Sequence, residues 1–225
     1  ESRESKGTSL EFSYAPTRHW DLIFNLDQID NQITSVGSEL ADFFAARSSY
    51  YRKYFKEGLI TNGTNTAAQD FAANVAAEYS AGTAFVGTSN RGVADYQSSF
   101  VARYKIIEGS LKGLTIGTNL RWESGKISGY RLKPAAFSFG GLDNYAGQTY
   151  DVDAPFTSKA ILTGGMQASY RRKIYGGRIG WRVQFNAQNL FSETGLRKIG
   201  ANSDGSPVWG IAPARAFELS NSFEF

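Results

Sequence analysis

Residues 217–225 read FELSNSFEF, with bulky apolar side chains at Phe217, Leu219, Phe223 and Phe225. Glu218, Ser220, Ser222 and Glu224 fill the positions between them. Alternation with a period of two marks a strand with one apolar and one polar face. Chain ends are usually frayed and polar, so such a strand at the end of a sequence needs a partner and a covering.

The same pattern recurs six times. Leu10, Phe12 and Tyr14 alternate with Ser9, Glu11 and Ser13 in 8–14; Trp20, Leu22, Phe24 and Leu26 alternate with polar residues in 18–28, where Ile23 alone breaks the polar side. Segments 94–106, 112–123, 160–171 and 177–189 follow, led on their apolar sides by Phe100 and Tyr104, Leu120 and Trp122, Met166 and Tyr170, and Trp181 and Phe185. Ser98, Thr118, Gly164 and Asn221 interrupt the apolar faces with small or neutral groups. Segments of roughly ten to thirteen residues exceed the five or six of an ordinary globular strand. They suit a tilted strand crossing a bilayer, which needs roughly 9–11 residues. The opposite faces carry more charge than a packed core accepts, as a wide, wet or domain-filled lumen would.

The connections alternate. APTRHW, IEGSLKG and RKIYGGR are short, whereas about 60, 35 and 25 residues separate the other neighbours. Outer-membrane barrels alternate short periplasmic turns with long extracellular loops in this way. Tyr14, Trp20, Tyr104, Trp122 and Tyr170 lie near segment ends, at the depth where a membrane interface favours amphipathic rings. The long connection 31–92 carries a helical spacing in 38–57 after Gly37-Ser38, and a second in 66–81 that opens with Thr66 and Gln69 as a capping box. Together they predict a helical hairpin on an extracellular loop. Connections 126–158 and 191–213 read as irregular.

The chain has 225 residues, a net charge of +3, 14% aromatic residues and no cysteine. Disulfides, thiolate metal sites and a cysteine nucleophile are excluded. The positive charge forms no block, so nucleic acid is not the expected partner. No apolar run approaches a membrane-spanning helix, and the first residues lack a signal-peptide layout. His19 is the single histidine, so no histidine triad or two-histidine metal site can be assembled, and it reads as a turn or lumen residue. YGGRIG lacks phosphate-loop spacing and reads as a glycine turn. Asp143, Asp151 and Asp153 share a loop and could hold calcium, but without the glycine and glutamate of a calcium loop they weigh toward a solvated acidic stretch. Tyr50, Tyr51, Tyr54 and Phe55 could contact a ligand or pack on a neighbouring helix, and packing is favoured. No enzyme signature, metal site or cofactor is expected.

Three stretches resemble TonB-dependent outer-membrane receptors. LEFSYAPTRHWDLIFNL (10–26) is similar to their late hairpin with its proline-containing turn. FNAQNLF (185–191) resembles their penultimate strand, which exits through Asn189, Leu190 and Phe191. PARAFELSNSFEF (213–225) resembles their last strand. The resemblance spans the chain as the C-terminal part of such a barrel. It implies an all-β, antiparallel transmembrane β-barrel fragment of about seven strands within one domain, 1–225, with the plug domain and the N-terminal coupling segment outside this sequence. It also implies that Phe217, Leu219, Phe223 and Phe225 form the signal read by the barrel-assembly machinery, from which Asn221 departs. The expected partners are outer-membrane lipid, the plug of the same polypeptide and the inner-membrane TonB complex, with a scarce or bulky ligand imported across the outer membrane of a Gram-negative bacterium. The ligand-binding residues stay unknown. Seven strands also leave two unpaired edges, untenable in lipid, and this points to a fragment. Two other readings stay open: strands that pair between chains in an oligomeric structural or adhesive barrel, and a soluble β-sandwich or calycin-like binding domain. An outer-membrane enzyme fits less well.

Overall fold

The computed structural model describes residues 1–191, 195–202 and 204–225, and of Asn62 the backbone alone. Its main sheet is antiparallel, with seven strands in the order β1-β2-β5-β6-β9-β10-β13. These are β1 Ser2–Tyr14, β2 Trp20–Ser35, β5 Tyr96–Lys105, β6 Leu114–Glu123, β9 Ile161–Ile174, β10 Ile179–Gln188 and β13 Ala216–Glu224. Every strand neighbours its predecessor in the sheet, because alternating short turns and returning loops keep the topology up-and-down. β1 and β13 are the free edges.

The short connections fold as tight turns. In YGGRIG, Gly176 and Gly177 adopt φ 64 and 94, left-handed angles that cost glycine nothing. In the first turn His19 Nδ1 donates to the Lys105 carbonyl at 2.9 Å, and its ring stacks on Tyr104. His19 is thus a turn residue.

The long connections hold more structure than expected. The first carries α1 Ser38–Ala45 and α2 Ser48–Lys56, a small ribbon of β3 Ile60–Asn62 and β4 Asn65–Thr66, then α3 Ala67–Phe71, a π-helical turn Ala72–Ala76 and α4 Ala77–Thr83. The stretch 38–57 is therefore two helices, not one. They break at Arg47, whose φ of −112 and ψ of 5 leave the helical region. The Thr66–Gln69 capping box forms, with both reciprocal hydrogen bonds in place. The stretch 126–158 is not irregular: it folds into the hairpin β7 Ile127–Phe139 and β8 Leu142–Thr157. In 191–213 a shorter hairpin pairs β11 Leu196–Ala201 with β12 Pro207–Ile211, and residues 192–194 and 203 lie outside the described residues. Both hairpins escaped the sequence pattern because neither keeps one continuous apolar face and one polar face, the condition that produces clean alternation.

β1 and β2 also run beyond 8–14 and 18–28, back to Ser2 and on to Ser35. The period of two persists there, but its sense inverts. Up to Leu26 the even positions of β2 are apolar; beyond it they become Gln28, Asp30 and Gln32, and the odd ones become Ile29 and Ile33. The surroundings of the two faces have changed.

Candidate functional site

Directly paired residues in an antiparallel sheet point to the same side, so the register tests the two faces. One row runs through all seven strands as Tyr14, Leu22, Ala102, Thr118, Met166, Ala187 and Phe217. The adjacent row on the other side reads Asp21, Arg103, Gly117, Gln167, Asn186 and Glu218. The alternation of single strands is therefore a property of the whole sheet: one continuous apolar face and one polar face.

Among the described residues, no second layer covers the apolar face. Phe12, Met166 and Leu219 are 55%, 49% and 66% exposed, and no large side chain is fully buried among the described residues. The accessible surface is 14640 Å², against roughly 10,000 Å² for a compact monomer of this mass. A β-sandwich needs a second apolar layer on the first. No such layer exists among the described residues.

The apolar face has two limits. At the loop end, the row of Leu10, Leu26, Ser98, Trp122 and Leu162 is the last apolar one on β1 and β2. Beyond it the same side carries Thr8, Lys6 and Glu4 opposite Gln28, Asp30 and Gln32. At the turn end, Trp20 packs on Tyr104 with ring centroids 4.8 Å apart, and Tyr170 meets Trp181 edge-on at 6.2 Å. Of the five aromatics expected at an interface, Tyr14, Trp20, Tyr104 and Tyr170 lie toward the turn end and Trp122 at the loop end. The structure adds Tyr96 and Trp181, which lie on the same face.

The apolar band crosses the sheet obliquely. Its centre on β1 is Phe12, whose row passes through Phe24, Phe100 and Leu120 to Gly164 on β9. Its centre on β13 is Asn221, whose row passes through Val183 to Tyr170 on β9. Gly164 and Tyr170 are six residues apart, about 20 Å along a strand, over six strand spacings of about 4.8 Å each. The strands therefore cross the normal to the band at roughly 35°, within the tilt of closed barrels.

Phe217, Leu219, Phe223 and Phe225 share the apolar face, and Phe225 is 99% exposed. Asn221, the departure on that face, accepts a hydrogen bond from the Trp181 indole N–H at 3.4 Å. Two groups that would be costly alone among apolar neighbours satisfy one another. The Asn189-Leu190-Phe191 exit also has a local cause. Asn189 takes φ 55 and donates from Nδ2 to the Ala214 carbonyl at 3.0 Å. Phe191 then lies over Gly164, where a Cβ would come within 2.9 Å of its ring. The motif ties β10 to the entry of β13 and fills a gap in the apolar face.

The polar face is concave. β5, β6, β9 and β10 together line an open hollow of about 590 Å³ whose lining includes Arg103, Lys105, Asn119, Gln167, Arg182 and Asn186. A flat sheet could not bring β5 and β10 onto one hollow. Lys105 and Arg103 pair with Asp21 at 2.8 and 3.9 Å, and Arg182 donates to Gln184 at 2.6 Å. This is a hydrogen-bonding wall.

The acidic loop residues are spent on cations. Arg52 grips Asp143 through two hydrogen bonds of 2.9 and 2.8 Å, which hold its carboxyl below the usual range. Lys133 binds Asp151 at 2.9 Å and approaches Asp153 at 4.0 Å. Asp143 and Asp151 therefore serve separate ion pairs. The aromatic cluster divides too: Tyr51 and Phe55 pack against Phe71 at 5.6 and 5.2 Å, whereas Tyr50 stays 59% exposed.

No family model matches the sequence, and no curated protein matches it. Among solved structures, the siderophore receptor PiuA from Acinetobacter baumannii aligns with 99% of this chain and 22% of its own, at 12% identity and a TM-score of 0.49. The outer membrane transporter YddB from Escherichia coli aligns with 96% of this chain and 24% of its own, at 10% identity and 0.49. The ferripyoverdine receptor of the outer membrane of Pseudomonas aeruginosa aligns with 97% of this chain and 19% of its own, at 13% identity and 0.47. The chain spans about a fifth to a quarter of the length of these proteins.

Proposed function

We propose that this sheet is a section of the wall of a transmembrane β-barrel in a Gram-negative outer membrane. In this reading the protein is an energy-coupled, TonB-dependent receptor that imports a scarce or bulky ligand. The observation that carries the membrane assignment is the exposed apolar band with its slant of roughly 35°. From Trp122 to Leu114 the band spans eight residue-to-residue steps of β6, about 27 Å along the strand. At that tilt it rises roughly 22 Å, close to the apolar band of about 25 Å around outer-membrane barrels. The inversion beyond Leu26 supports the same boundary, because there the outer side meets water and the inner side meets the folded loops. Aromatic rings at both limits suit the headgroup region.

The receptor assignment has separate support: the Asn-Leu-Phe exit, the terminal aromatic strand, the elaborate outer loops and the polar concave wall. The free edges β1 and β13 would pair with further strands of the barrel. The concave wall would face a plug contributed by the same polypeptide. The coupling complex, the assembly machinery that reads Phe217, Leu219, Phe223 and Phe225, and the plug are partners in this reading. Val101, an apolar side chain on the polar face of β5 that lines the hollow, suits contact with a folded domain better than a column of water.

The test is the intact mass of the native polypeptide in its source membrane. A mass several times 24.7 kDa, with a globular segment ahead of Glu1, is the expected result. A mass near that value, with heat-resistant oligomers, would instead assign the strands to a structural barrel built from several chains.

A further inference from the structure

Two long connections, 36–95 and 124–160, are distant in sequence and yet joined at two levels. At the base, Phe85 packs on Tyr130 and Tyr150 with centroids 5.2 and 4.9 Å apart, and the Arg91 guanidinium lies 4.9 Å over the same ring. The Gly92 N–H donates to the Ile127 carbonyl at 2.9 Å. At the tip, the β7–β8 turn enters the angle between α2 and α3. Leu142 is buried with Ala72 and Ala76. Phe139 stacks on Tyr79 at 4.3 Å and lies 5.4 Å from Phe44.

The fit at the tip leaves no space for a side chain. Gly140 and Gly141 adopt φ 57 and 101. A Cβ on Gly141 would lie 2.7 Å from the Ser48 carbonyl oxygen and 2.9 Å from the Arg52 nitrogen, and one on Gly140 would lie 2.7 Å from the Phe71 ring. The Arg52–Asp143 pair closes the seam on the outside.

We propose that these two connections form one cooperatively folded cap, with the Gly140–Gly141 turn as its keystone. The hairpin has no core of its own, since Leu142 and Phe139 are covered by the helices. Separating the two connections would expose that shared core and strand Arg52 and Asp143 together. The inference goes beyond the membrane assignment and does not depend on it.

Hydrogen exchange read by mass spectrometry, on the protein extracted into detergent micelles, tests the idea. Gly141→Ala is expected to speed exchange at least about tenfold, by a similar factor in α1, α2, α3 and the β7–β8 tip, with β5 and β6 unchanged. Faster exchange in the hairpin alone, with the helices still protected, would overturn the proposal. Should Gly141→Ala fail to assemble, Asp143→Asn gives a milder form of the same test: a joint rise of less than about fivefold supports the single cap, and a rise confined to the hairpin rejects it.

Discussion

The sheet and the cap are built from similar residues, and both are rich in aromatics, yet they solve opposite problems. In the sheet each strand turns an exposed apolar side one way and a polar side toward the hollow. In the cap, helices and a hairpin bury their apolar groups in each other, and the core around Phe44, Phe71, Ala76, Phe139 and Leu142 faces inward from several elements. A uniform surrounding imposes one period on every strand. A core assembled from neighbours imposes none.

The sharpest way to break this contrast uses two adjacent residues. Met166 lies mid-band on the apolar face of β9, and Gln167 lies on the polar face. In lipid vesicles, Met166→Arg is expected to lower unfolding free energy by about 2–4 kcal/mol, the cost of a cation near the bilayer midplane. Gln167→Arg places its charge on a wall that already holds Arg103 and Arg182, so a change within about 0.5 kcal/mol is expected. Equal costs in denaturant titrations of the two variants would refute the lipid-facing assignment. In the cap, the counterpart is Leu142→Ala. Deleting a side chain buried with Ala72 and Ala76 is expected to cost about 2–3 kcal/mol of cap opening, the low end for a leucine cavity because this small core can partly collapse. Proteolysis of the cap measures it, and the sheet should keep its stability.

The same contrast explains what could be read from the sequence. All seven strands of the main sheet were legible, because Leu120 and Trp122 opposite Arg121 and Glu123 can be sorted by period alone. The strand ends were not: beyond Leu26 the alternation changes sense, and a pattern read for one face loses it there. The β7–β8 hairpin was hidden because Phe137 and Phe139 share a side and find their cover on helices far earlier in the chain, such as those holding Phe44, Phe71 and Tyr79. The capping box at Thr66 was legible because it is local, needing a hydroxyl and an amide three residues apart. The Trp181–Asn221 hydrogen bond was not. Asn221 looked like a defect until pairing placed it one row from the indole.

That local motif yields a smaller effect. Thr66→Ala removes the hydroxyl that accepts the Gln69 N–H, and such a loss is expected to cost about 1 kcal/mol. Exchange should quicken first in the opening turn of α3. A change spread evenly over the sheet would mean that cap and sheet unfold together, erasing the contrast between them.

The smallest effect concerns acid. The Arg52 side chain, hydrogen-bonded to Asp143, holds that carboxyl below its usual value of 3.8, with Lys56 adding attraction and partial desolvation opposing both. A carboxyl with a lowered pKa in the folded state stabilises that state above its unfolded value. The contribution declines as pH falls from about that value through the folded one. Both side chains are exposed, so added salt should weaken the pair as well. The cap should therefore keep constant exchange rates from neutral pH down to about 4, after correction for intrinsic chemistry, and loosen only below that, with the band unaffected. Asp143→Asn should flatten the dependence. If acid loosened the band as readily as the cap, carboxylates of the polar wall such as Asp21, which bridges Arg103 and Lys105, would have to be holding the sheet together, and the division between a lipid-held sheet and a self-held cap would fall.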